Sequence, residues 1–217
     1  MSLRVVLEVA SKRSFASSID WPGWSRGGRT PEDALQALVE YAPRYGVVAA
    51  RAGTEFDAAA ALDVEIVERL AGDASTEFGV PAMRAAADVE PLDPAELERL
   101  TRLLEAAWDT FDATARAAAG VSLRLGPRGG GRQVPKIVEH VAGADGAYLS
   151  ALGSRAPVPA SQAQVRRAFV EAVTARALGR PLGAPSKVRN PWPPQYAIRR
   201  SAWHALDHAW EIEDRSA

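Results

Sequence analysis

The stretch DPAELERLTRLLEAAWDTFDATARAAAG, Asp93 to Gly120, decides the reading of this chain. Asp93 is a side-chain acceptor for free amides at a helix start, Pro94 fits the first helical position, and Glu96 completes a capping box. Leu97, Leu100, Leu104, Trp108, Phe111 and Ala115 then recur at three- and four-residue spacing, so one face is apolar for about six turns. Gly120 is a natural stop.

From this helix to the C-terminus the pattern stays helical. A loop, Gly126-Pro127-Arg128-Gly129-Gly130-Gly131, is followed by a helix over about Val134 to Leu152, a third over Ser161 to Leu178, and a connection with five prolines, Arg180 to Pro194. A fourth helix spans about Pro194 to Asp214. Four long helices joined by such loops predict a four-helix bundle. The glycine loop lacks the Gly-Lys-Ser/Thr ending of a phosphate loop and reads as a linker; its Arg128 and Arg132 stand where they could meet an anionic group.

The residues before Asp93 read differently. Val5 to Val9 and Phe15 to Ile19 have strand character; Trp21-Pro22-Gly23-Trp24 and Gly27-Gly28 are turn clusters. Thr30-Pro31-Glu32-Asp33 opens a helix whose end is blurred by Pro43 and Gly46. Leu62, Val64 and Ile66 alternate with acids and predict a third strand, and Thr76 to Val80 a fourth. The expected class is therefore α+β, with a small α+β module over 1–90 and a four-helix bundle over 91–217.

Composition narrows the function. The 217 residues carry 26 Lys and Arg against 27 Asp and Glu, giving no electrostatic footprint for nucleic acid or an anionic membrane. Cysteine is absent, which removes disulfides, thiolate nucleophiles and cysteine-ligated metals. No apolar run approaches the ~18–20 residues of a bilayer span, and the N-terminus is too polar for a secretory signal. A cytoplasmic protein acting on a small molecule is the expectation.

All three histidines, His140, His204 and His208, lie in the helical half. His204 and His208 are four apart and share one helix face, with Cβ atoms roughly 6 Å apart. That spacing recurs in zinc sites, but it is also common in solvated pairs, and spacing alone leaves both open. His140 on the second helix could complete a three-nitrogen set with positions left for water or substrate. Glu211, on the same face as the pair, is placed to orient a ligand or act as a base. Asp207 and Asp145 are weaker candidates, each expected to be a solvated surface carboxylate paired with a nearby arginine. Tyr148, Trp203 and Arg132 are candidate substrate contacts, and Trp210 a packing residue.

The segments KIVEHVAGADGAYLSAL (Lys136–Leu152) and SAWHALDHAWEIEDR (Ser201–Arg215) resemble the DinB/YfiT-like superfamily of bacterial metal-binding four-helix bundles. The resemblance implies one divalent ion, nickel or zinc, on His140, His204 and His208. Some members of that superfamily are mycothiol-dependent isomerases or bacillithiol transferases, so a low-molecular-weight thiol cofactor is a further implication. FASSIDWPGWSRGGRTPEDALQAL (Phe15–Leu38) resembles the HicB-type fold, through Pro22-Gly23, Gly28, Thr30, Asp33, Ala34 and Leu35. No DNA-binding extension accompanies it, and the module is expected to pack on the bundle, cover its pocket or form a homodimer interface. The expected function is a metal-dependent thiol transferase, isomerase or hydrolase. A non-catalytic module that binds a small molecule or a protein is the alternative, and a purely structural bundle the third reading.

Overall fold

The computed structural model of the chain describes residues 2–59, 63–126 and 131–216. Its N-terminal part is a four-stranded sheet: β1 Leu3–Val9, β2 Ser14–Ser18, β3 Ser25–Gly28 and β4 Val64–Ala71, in the order β3-β2-β1-β4. β1 to β3 form an antiparallel meander; β4 pairs parallel to β1 after a crossover through two helices, α1 Pro31–Glu40 and α2 Ala42–Arg51. A short helix α3 (Ala74–Phe78) and a 3-10 turn (Ala86–Val89) lead into the four long helices α4 Pro94–Ala117, α5 Val134–Ala151, α6 Gln162–Ala177 and α7 Pro194–Ser216. The class is mixed α and β, as expected. Among the described residues no helix is long and apolar enough to cross a membrane.

Both predicted helix starts are present. The Asp93 carboxylate accepts from the Glu96 amide, and Thr30 and Asp33 form a reciprocal capping box. The box expected at Asp93 is only half formed, because the Glu96 carboxylate turns to Arg99 instead of the Asp93 amide. Other local expectations are corrected or refined. Thr76–Val80 is not a strand: Asp73 caps a helical turn, the Thr76 hydroxyl returns to the Asp73 amide, and Gly79 at φ +111° ends it. Gly27-Gly28 belongs to an edge strand. The helix end that Pro43 and Gly46 blurred falls at Glu40, and Pro43 sits in the first turn of α2, where a missing N–H costs nothing. The third strand runs Val64–Ala71, beyond Ile66, while Leu62 lies outside the described residues, as does Arg128.

The sheet has two covered faces. Val5, Leu7 and Ala16 join Ala34, Leu38, Tyr45 and Val48 in one apolar cluster under α1 and α2. Alternate side chains point to the other face. There buried Glu8 accepts hydrogen bonds from the Thr76 hydroxyl and the amides of Ala82 and Met83, and Phe15 meets Trp203 of α7 edge-on.

α7 is the mast of the molecule. Residues 196–206 are buried without a break, because α4, α5, α6, the 3-10 turn and the sheet all pack on this helix. Its polar groups are paired accordingly: Arg199 binds Asp88 at 2.5 Å, fixing the 3-10 turn. The Pro22-Gly23 turn lies against it so closely that a Cβ on Gly23, itself at φ +91°, would come within 2.8 Å of Leu206 and 3.0 Å of Ala202.

Candidate metal centre

α7 carries His204 and His208 one turn apart, and α5 packs against α7 so that His140 faces them. One nitrogen of each histidine lies within 4.8 Å of those of the other two. The Nε2 atoms of His140 and His204 are 3.1 Å apart, close to the ligand separation in a tetrahedral site with metal–nitrogen bonds of about 2.0–2.1 Å. The three rings stand edge to face, with centroids 4.7 to 5.0 Å apart.

Burial keeps two of these rings neutral. His204 is 7% exposed, and loss of hydration, reinforced by the charges of His208 and Arg200, drives its pKa down to about 2. His140 is shifted down as well, first by desolvation and then by His208 and Arg132. A neutral imidazole is the form that binds a metal ion.

Glu211 is bonded on both sides. One oxygen lies 2.7 Å from His208 Nδ1, and the other accepts from Arg215 at 2.6 Å. The hydrogen bond from His208 holds this carboxylate below the usual range. With Nδ1 engaged, His208 turns Nε2 to its other side, the carboxylate–histidine arrangement that orients metal ligands. Arg215, 6% exposed, also donates to the carbonyls of Arg124 and Arg132, so the loop before α5 anchors the same chain of contacts. Sequence reasoning passed over Arg215, since an arginine in the last turn of a helix is ordinarily a solvated cation.

Tyr148 and Trp203 both border His204, with ring centroids at 5.7 and 6.1 Å. Trp203 also packs against Phe15 and is buried, while Tyr148 is half-buried and continues into Trp192 at 5.2 Å. Arg132 is exposed, yet its charge reaches His140 and His204. Trp210 sits away from the rings, edge-on to Tyr41 and under Arg26 and Arg44. Asp207 pairs with Arg26 at 3.1 Å. Asp145 pairs with an arginine as expected, Arg166 of α6, and also with Gln162, but it is corrected on exposure: it is 1% exposed rather than solvated, and it touches no histidine.

Comparison of the chain with protein-family models, curated proteins and solved structures finds no match in any of the three.

Proposed function

We propose that this chain is a metal-dependent enzyme of the DinB-like superfamily, with a divalent ion on His140, His204 and His208 that activates a low-molecular-weight thiol or water for transfer or hydrolysis. The observation that carries the reading is the convergence of three imidazole nitrogens, drawn from two helices, within 4.8 Å. The residues fit such an ion. Two of the rings are held neutral by burial, His208 is oriented by Glu211, and three protein nitrogens suit zinc or nickel while leaving positions open. A bound divalent ion would supply a nucleophile at neutral pH, by stabilising the deprotonated form of a thiol or water.

The chain's own residues then have separate tasks. Glu211 is a positioning residue: both oxygens are engaged, which favours holding His208 over taking a proton. Tyr148 and Trp203 wall the approach to His204 and limit water there, and Arg132 contributes positive charge from the α5 side. The division into a HicB-like module over 1–90 and a bundle over 91–217 belongs to the same proposal, the module serving to brace α7 from the sheet side.

The test is cobalt substitution followed by a thiol screen. A thiolate-to-cobalt absorption band on adding a low-molecular-weight thiol, absent in H204A, is the expected result. A cobalt-loaded protein that responds to no thiol, and whose spectrum shows no exchangeable water, would favour a non-catalytic binding module.

A further inference from the structure

Among the described residues three arginines are buried on α7, and they differ in one respect. Arg199 is paired with Asp88, and Arg215 with Glu211 and two carbonyls. Arg200, 9% exposed, makes no salt bridge and no hydrogen bond to any described residue, and its Nη1 is buried with no partner. Its guanidinium carbon lies 4.5 Å from the Trp203 ring centre and 5.3 Å from that of Tyr148. Those aromatic faces accommodate the charge, but the planar N–H donors still require an acceptor. Asp207, which lies within electrostatic reach, is already held by Arg26.

The position of this group gives it a function. Arg200 stands one turn before His204 on the same face of α7, with Cβ atoms roughly 6 Å apart. Tyr148 and Trp203 border both residues, so guanidinium and imidazole share the same two aromatic neighbours. Arg132 adds charge of the same sign nearby, and the one carboxylate bonded to the histidines, Glu211, is spent on His208 and Arg215. A buried, fork-shaped cation without a counter-ion is matched by a planar or tetrahedral oxyanion that accepts two N–H bonds.

We infer that Arg200 is an anion-binding residue, and that the molecule handled at the histidine cluster carries a carboxylate or phosphate group seated on it between Tyr148 and Trp203. The inference extends the metal-centre reading by naming the substrate class, and takes from that reading only where the reacting group lies.

Side-chain NMR of the full-length chain tests it, before and after chelation of divalent ions, following the Arg200 Nε–H and Trp203 indole N–H resonances. Probes are acetate, inorganic phosphate and, as a neutral control, acetamide. Saturable shifts with acetate or phosphate but not with acetamide are expected, and the stronger of the two identifies the acid group. R200M should weaken the anion at least tenfold, with the Trp203 resonance as reporter. R200K, which keeps the charge and the fold but loses the fork, should fall between. Absence of saturable shifts up to 50 mM, about fiftyfold weaker than a millimolar anion subsite, or equal binding in R200M, overturns the assignment. Zinc uptake is measured separately by elemental analysis. Its failure would count against the metal reading, whereas the titration of chelated protein judges Arg200 alone.

Discussion

His204 shows how burial, and not the residue type alone, prepares a ligand. In the folded chain its pKa is near 2, against an ordinary value of 6.5. Because the folded value is the lower one, the stability this ring contributes is full above about pH 6.5 and is lost as the unfolded chain takes up a proton below it. The metal-free protein should therefore melt at progressively lower temperature from pH 7 to pH 5. An H204N variant, with nothing to titrate there, should show a shallower decline; parallel profiles in calorimetry would contradict this. Glu211 gives the second prediction at this scale. E211Q removes the charge that holds His208 while leaving a hydrogen-bonding side chain, and metal affinity in a chelator competition should drop about tenfold or more. Unchanged affinity would mean that the 2.7 Å contact with His208 is incidental. The i,i+4 spacing made the pair legible in sequence. The partnerless state of Arg200 was not, because nothing in a sequence says which arginine of Arg199-Arg200 finds an acid.

Between elements, contacts of opposite character hold the histidine-bearing helices. Asp145 of α5 binds Arg166 and Gln162 of α6, and Arg166 reaches on to Asp112 of α4. One guanidinium thus ties three helices. D145A would leave Arg166, itself largely buried, with half its partners, at a cost of about 3 kcal/mol in chemical denaturation; a loss under 1 kcal/mol would show the network to be dispensable. Gly23 ties the sheet to α7 by lacking a side chain. G23A faces both a positive φ and contacts at 2.8–3.0 Å, and should destabilise the fold by roughly 2–4 kcal/mol. Capping signals located the starts of α1 and α4 because their chemistry is local. The apparent strand at Thr76–Val80 misled because its β-branched residues were read without Asp73 and Gly79, which bracket one helical turn.

Across the whole molecule, α7 explains why the helical half and the sheet form a single structure. A helix buried continuously over residues 196–206 needs cover on every side, and the sheet, the 3-10 turn and three long helices supply it. The periodicity of the last twenty residues marked a helix, but its mixture of Arg, His, Asp and Trp does not reveal on how many sides it is covered. Only the packing of distant segments shows that its polar side chains are internal. The histidine cluster lies where α5 meets this mast, so an ion there would bridge two elements and stabilise the fold by mass action. Elemental analysis of purified wild type beside H140A/H204A/H208A tests this directly. About one equivalent of a divalent metal is expected in wild type after reconstitution, and none in a triple variant of unchanged circular dichroism. A triple variant that keeps the wild-type complement, or a wild type that takes up no divalent ion, would contradict it.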